Sequence, residues 1–507
     1  MVIVWLLAAG CGGEQHSSPP VAVSGGWIHQ DPSLPGEPIG SDGRVFTPAG
    51  SVTPMGAREV AAPSCVPVFT VELGDVDRHT AMGGSAPDTA MAFSPSGRHL
   101  AIGTFLGEVI LVDAWTGATL ARRRLAETMV KQVAWSSDGS TLYVGEQSPD
   151  GSLLALSIPT LEETWRVNLS DWVGDSPLPA GNLYGAYTLP AAYGLDVLAD
   201  GSLLVVATHA WTIDSGERLN RSVVLKLGAD GRPLAQWPEQ PADAVFFRTQ
   251  LAGDVALIPV SRSSDGPHSG ELPIGGALVF DLHRFEPTAS IRPQPLEPWF
   301  TNTFLWEALD VRGDTVFLGL GDGRAGLWSL DGQPTTTLPS AGPIMAGETP
   351  VVASIGSGML HGERAVYITS STHIPFGAAA PELKPLAAHP NENTLISADA
   401  SGRMTGSWSG PHRLQGLAMM PDGRHLVVGA GQREHDQRQD LFGALVFDLG
   451  PEDAPLDRPL LSRFCQTEGP VFFRAAATLD GRIAVTEHPY RHGEDPAFGD
   501  YRVTVFR

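Results

Sequence analysis

The stretch Asp88–Leu125, DTAMAFSPSGRHLAIGTFLGEVILVDAWTGATLARRRL, holds four short apolar runs. The first closes at the turn Pro95-Ser96-Gly97 and the second covers His99 to Gly103. The third covers Val109 to Asp113 and ends in Trp115-Thr116-Gly117; the fourth extends from Ala118 to Leu125. Short runs bounded by Gly and Pro turns predict four strands of one antiparallel sheet. Such a sheet has two faces and cannot bury both by itself, so copies of it must pack against copies.

The copies recur along the chain. A small or acidic residue beside Gly, followed by an apolar run, is found at Gly97, Gly139, Gly201, Gly253, Gly313, Gly362, Gly423 and Gly481, at intervals of 42 to 62 residues. The runs that follow are HLAIG, STLYVG, SLLVVA, VALIPV, TVFLGL, RAVYIT, RHLVVG and RIAVT. Gly recurs because a tight strand-to-strand turn needs positive φ. Two literal repeats agree with this register: GALVFDL at Gly276–Leu282 and Gly443–Leu449, and VFFR at Val245–Arg248 and Val471–Arg474. Four strands per unit at this period predict an all-β chain with negligible helix, folded as a single β-propeller. AFSPSGRHLAIGTFLGEVILVDAWTG, WSSDGSTLYVG and MMPDGRHLVVG resemble blades of the WD-repeat family, which implies a disc of radially packed sheets from about Asp88 to Arg507.

The last unit, Val471 to Arg507, supplies only three strands. Val66–Leu73 (VPVFTVEL) precedes the first unit and can provide the fourth, pairing an edge that would otherwise stay open. With that closure by an N-terminal strand the count is eight blades. Seven is the alternative, because the insertion Thr372 to Glu392 parts the second and third strands of the sixth unit.

Residues 1–10 are apolar and lead to Cys11. Val2 to Gly10 is far too short to span a bilayer but fits the apolar core of an export signal. Leu7-Ala8-Ala9-Gly10-Cys11 resembles the lipobox of bacterial lipoproteins, which implies an exported chain lipidated at Cys11 and anchored in the cell envelope. Gly12 in place of Asp after that Cys implies the outer membrane. A buried N-terminal strand with an incidental Cys is the competing reading. Between Gly12 and Ser64 stand 9 Gly, 8 Pro and 7 Ser, too little apolar surface to offset the entropy of ordering. Residues 11–64 therefore read as a disordered tether, and residues 65–507 as the propeller.

A net charge of −23 with no basic block repels a phosphate backbone, which speaks against nucleic acid as a partner. The partners left are the membrane, through the lipid anchor, and an envelope protein or polymer. No Gly-x-Ser-x-Gly elbow, His-Glu-x-x-His helix, phosphate loop or haem-attaching Cys pair occurs, so no catalytic residue, cofactor or metal ligand is assigned. Two function classes stay open. One is a binding or scaffold module. The other is a periplasmic propeller enzyme, a quinone-dependent dehydrogenase or a lactonase-like hydrolase, since such sites are assembled from scattered single residues.

In a propeller the first-to-second and third-to-fourth turns share one face, and the second-to-third loops and inter-blade connections share the other. Here the first set is tight. The second includes Ala210–Asn220, Arg262–Gly275, His373–Glu392, Gly431–Phe442, His488–Gly499 and Leu169–Tyr187. Function usually sits on such loops. Aromatic and Arg side chains are common interface anchors, which makes Trp211, Arg433, Tyr490 and Phe498 the candidate partner-binding residues. His209, His373 and His488 end second strands in blades three, six and eight, too widely spread to favour a metal site, and read as solvated loop histidines. Arg248 and Arg474 of the repeated VFFR read as packing or ion-pairing groups ahead of an anion site in the axial channel.

Cys65 and Cys465 both border the closing blade. Export favours a disulfide between them. The strand assignment puts Cys65 at the start of an outer strand and Cys465 at the end of its neighbour, on opposite faces and beyond the ~7 Å limit between Cα atoms, so that a disulfide would require a different register for Val66–Leu73. Both outcomes stay open at this stage.

Overall fold

The computed structural model describes residues 64–74, 90–125, 129–175, 189–212, 218–263, 271–293, 308–340, 342–346, 349–372, 389–410, 413–431, 442–452, 459–478, 480–489 and 499–507. These residues form strands almost throughout, and their one helix is the single turn Ser170–Val173. The described strands sort into eight antiparallel units of four strand positions each, the second and third being joined into one eight-stranded sheet where Ala191 pairs with Gln147. The first pairs Ala90–Phe93, His99–Gly103, Glu108–Asp113 and Thr119–Arg124 in that order. Units two to seven occupy 129–168, 191–242, 244–291, 309–338, 355–409 and 414–466. In the fourth, the inner position is shared by Ala244–Phe246 and Gln250–Ala252. A small hairpin, Ile344–Ala346 with Thr349–Val351, stands between the fifth and sixth. Neighbouring units pack in chain order, and the inner strand of the eighth, Val471–Ala477, returns to Ala90–Phe93, so the order closes into a ring.

The middle strands explain why the sequence shows apolar runs and not strict alternation. In Glu108–Asp113, Ile110 and Val112 pack towards blade eight with Val503 and Val505. Val109 and Leu111 pack towards blade two with Val144 and Leu154. A strand buried on both faces needs apolar residues at every position.

All eight glycines that set the repeat have positive φ, between 54° and 86°. At Gly201, Gly253, Gly313 and Gly423 an added Cβ would meet nothing within 4 Å, so backbone conformation and not crowding requires glycine there. Asp138, Asp200 and Asp422, which precede three of these glycines, accept the backbone N–H two residues on, from Ser140, Ser202 and Arg424, at 3.0, 2.9 and 2.9 Å. The Ser136 hydroxyl, with the N–H and hydroxyl of Ser140, holds the Asp138 carboxyl down at about 2.

The eighth unit takes its fourth strand from the N-terminal side of the fold. Pro67–Glu72 pairs antiparallel with Arg502–Phe506, with Glu72 opposite Arg502. Val66 and Arg507 exchange backbone hydrogen bonds of 3.0 and 2.9 Å, and the Leu73 N–H donates to the Tyr501 carbonyl at 3.0 Å. Val71 and Leu73, with Phe69 beside them, pack with Ile110 and Val112 of blade one.

Cys65 and Cys465 are joined by a disulfide, with Cα atoms 4.7 Å apart across 400 residues of sequence. The opposite-face argument is thereby corrected. Before it enters the outer strand, the chain lies parallel to blade seven: Ser64 bridges Phe464, and the Cys65 N–H donates to the Phe464 carbonyl at 3.0 Å. Blade strands twist, so an outer strand does not run straight from one face to the other. The bond lies among Met420, Val427, Ala444 and Phe506. It ties the entering chain to blade seven while the ladder ties it to blade eight. Replacing both cysteines by serine should lower the unfolding free energy by about 2–5 kcal/mol in a urea titration. Dithiothreitol should shift the native protein towards the same midpoint and leave the double variant unmoved.

Candidate functional site

The face of tight turns uses its charged groups to join blades. Arg482, 3% exposed, donates to the Ala114 carbonyl and, at 2.9 Å, to the Gly97 carbonyl; its guanidinium also lies 4.1 Å from the Trp115 ring centre and pairs with Asp480 at 2.9 Å. That one side chain binds blade eight to blade one. Between blades six and seven, His361 Nε2 lies 2.8 Å from the Gly423 carbonyl and Arg364 donates to the Pro451 carbonyl at 3.1 Å. Burial keeps the His361 pKa below the usual histidine value. Arg312 of blade five reaches Glu452 beyond blade seven's third strand, with one bond of 2.8 Å. These contacts join neighbouring blades into a stiff base.

The opposite face carries the insertions. Arg433, Tyr490 and Phe498 lie outside the described residues, as do His373, Cys11 and the rest of residues 1–63; so do the side chains of Arg262 and Arg474. What the structure positions are the roots of the long loops, each at the end of a middle strand or of an inter-blade connection.

Trp211 is the described member of the four candidate anchors, and its surroundings correct the loop reading of Ala210–Asn220. Leu203–Thr212 and Arg218–Leu227 stay paired as far as Thr212 opposite Arg218, so this stretch is the upper part of a hairpin. Ring contacts along one strand and a cation contact across the hairpin accompany the extension. The Trp211 ring lies 4.3 Å from the His209 ring, centre to centre, and the Arg221 guanidinium lies 5.4 Å from the Trp211 ring. His209 is fully buried with Nδ1 3.3 Å from the Val173 carbonyl of the helical turn. It is a packed support, not a solvated loop residue. Asn220, opposite Ala210, is 1% exposed, and neither polar atom of its side chain has a hydrogen-bond partner among the described residues. Sequence reasoning missed it, because an Asn near a turn is ordinarily solvated.

Blade eight braces the same face with a buried ion pair. Glu487, at the end of the second strand, is 0% exposed and accepts from Arg502 Nε and Nη2 at 3.1 and 3.0 Å. It also accepts from the Thr504 hydroxyl and from the N–H groups of Glu468 and Gly469, at 3.1 and 3.0 Å for the last two. The connection from blade seven is thus fastened to the root of the loop 490–498. His488 next to it is buried with its ring 4.7 Å from that of Tyr501, which again replaces the solvated reading. The Tyr501 hydroxyl accepts the Phe105 N–H at 2.9 Å, carrying the brace across to blade one. Glu487→Gln leaves Arg502 without its buried carboxylate and puts an amide among donors. It should cost about 3 kcal/mol by urea denaturation.

Arg248 sits in the break between the two inner segments of blade four. Its charge stabilises the Asp196 carboxylate, whose pKa burial raises, and the Thr249 hydroxyl donates to the same carboxylate. Among the described residues, no group of three or more His, Cys, Asp and Glu side chains is placed to hold a metal ion. No described helix is long and apolar enough to cross a membrane.

These features define a β-propeller. Solved structures similar to it include the C-terminal WD40 domain of Sif2, at 13% identity and a TM-score of 0.51, covering 88% of this chain and 98% of that one. The Dos1 propeller is similar at 11% identity and a TM-score of 0.50, covering 87% of this chain and 94% of that one. No family model and no curated protein sequence matches the chain.

Proposed function

We propose that this propeller is a binding module, tethered to the cell envelope by a lipid on Cys11, that holds a protein or polymeric partner on its long-loop face. The observation that carries the reading is the asymmetry of the disc. On one face short turns predominate, and Arg482 and Arg364 join neighbouring blades through carbonyls such as those of Gly97 and Pro451. On the other, long segments spring from roots fixed by buried pairs such as Glu487 with Arg502. Rigid roots lower the entropy lost when loops engage a partner. The raised hairpin of blade three adds a half-buried Trp211 to this face. The apolar run Val2 to Gly10, Cys11 and the Gly- and Pro-rich stretch after it support the tether.

Shortening 213–217, 432–441 and 490–498 to tight turns should abolish capture of the partner from envelope extract, while the melting temperature stays near that of the native chain. Trp211→Ala alone should weaken capture by about tenfold or more. In cells fed a fatty-acid analogue, the native chain should be labelled and Cys11→Ala should not. Retention of every partner by the trimmed protein would place the binding surface elsewhere, and unlabelled native chain would remove the anchor. Turnover of a lactone, or of an alcohol with an added quinone cofactor, would replace the binding reading with a catalytic one.

A further inference from the structure

Six large apolar side chains are exposed among the described residues: Val66, Val68, Trp115, Leu120, Leu234 and Leu460. Five of them fall on three neighbouring blades around the ring closure. Val66 and Val68 belong to the entering chain and the outer strand of blade eight. Trp115 and Leu120 lie on the last turn and outer strand of blade one, which abuts that strand: the Phe69 ring rests against Gly117, and Arg122 donates to the Glu72 carbonyl at 3.2 Å. Leu460 opens the outer strand of blade seven, to which Cys65 is covalently bound.

The charge around these residues runs against that of the whole chain. Exposed Arg507 is the backbone partner of Val66. Exposed Arg98 accepts the Ala114 N–H at 2.8 Å, next to Trp115. Exposed Arg122 and Arg124 follow Leu120 on the outer strand of blade one, while Arg123 between them turns to blade two and pairs with Glu163 at 3.1 Å. The nearby acids are Glu72, Glu108 and Asp113; Glu108 pairs with Arg122 at 3.3 Å, and Asp113 accepts the N–H groups of its own turn. In a chain of net charge −23 this seam is locally basic and apolar together.

We propose that the closure seam is a lipid-facing edge that rests on an anionic bilayer surface and stands the disc upright on the membrane. Two features select this occupant. Apolar side chains interleaved with long arginines suit the boundary between acyl chains and headgroups, where the stems lie along apolar material and the charges reach phosphate. The residues ahead of the fold also end here, at Ser64, so a lipid on Cys11 draws this edge and neither flat face towards the membrane. The disulfide and the strand ladder hold the edge rigid, and the long-loop face then opens sideways, clear of the lipid. The inference rests on the tethered reading above.

The test uses the chain from residue 11 onward with Cys11→Ala, so that no acyl group contributes, in flotation with vesicles of phosphatidylethanolamine and phosphatidylglycerol. The protein should float with these vesicles at low salt and much less with phosphatidylcholine alone. Raising NaCl to ~0.5 M should release it. Val66→Ser, Val68→Ser and Leu120→Ser combined should cut the bound fraction about tenfold, with an unchanged melting temperature. Trp115 is left in place because Arg482 stacks on it. Leu234→Ser, an equally exposed change on blade three, should have no effect. Failure to float, or equal flotation of the triple variant, would overturn the proposal. So would self-association that the triple variant abolishes, because the seam would then belong to a second copy. A chain that carries no lipid in cells would sink the tether without altering this measurement, so the two failures are distinguishable.

Discussion

The pairing of Pro67–Glu72 with Arg502–Phe506 is the contact on which the architecture depends. A ring of sheets gains from closure only when its last blade is complete, since a three-stranded blade would leave one outer ladder open and one side of its neighbour uncovered. Drawing the missing strand from the far end of the chain makes the first and last parts of the fold mutually dependent. The disulfide extends that dependence to blade seven, and the Arg482 contacts extend it to blade one. Four segments remote in sequence are thereby fixed at one place on the rim. Stability and attachment converge there, because the same place receives the chain from its N-terminal side.

This arrangement divides labour across the disc. On the tight-turn face most turns are short, the exception to the expected pattern being the connection from Asp448 to Leu460 in blade seven; Arg482 and Arg364 reach carbonyls of neighbouring blades, while Arg403 and Arg424 pair with aspartates of their own blades. Such a surface resists change. On the other face the roots are equally firm, but the loops vary in length from the tight Thr104–Gly107 turn of blade one to the long insertions in blades six and eight. Loop variation on a scaffold of fixed geometry is how one fold serves many ligands.

Much of the ring was legible in the sequence, and the reasons are local. The repeat showed itself because a positive-φ turn selects glycine at every copy, with Asp138, Asp200 and Asp422 capping the turn in three of them. The closing strand was legible because the C-terminal unit lacked one. What escaped depended on twist or on long-range partners. The Cys65–Cys465 contact follows from strand twist, which an idealised straight strand omits. The hairpin bearing Trp211 looked like a loop because polar and aromatic residues interrupt its alternation; the contact of Arg221 across to the Trp211 ring is invisible in one dimension. His209 and His488 looked solvated because the partners that bury them, Val173 and Tyr501, are remote in sequence. The Glu487–Arg502 pair did leave a trace: opposite charges at the end of a second strand and the start of a third are forced into register when the two strands pair.

Hydrogen–deuterium exchange of the intact protein tests ring closure most directly. The amides of Cys65, Val66 and Leu73 donate to Phe464, Arg507 and Tyr501 respectively. The closed ring predicts that residues 65–73 exchange as slowly as Arg502–Phe506 and lose protection together with them as denaturant rises. Exchange of 65–73 at the rate of an unstructured peptide, while 502–506 stays protected, would contradict the closed ring.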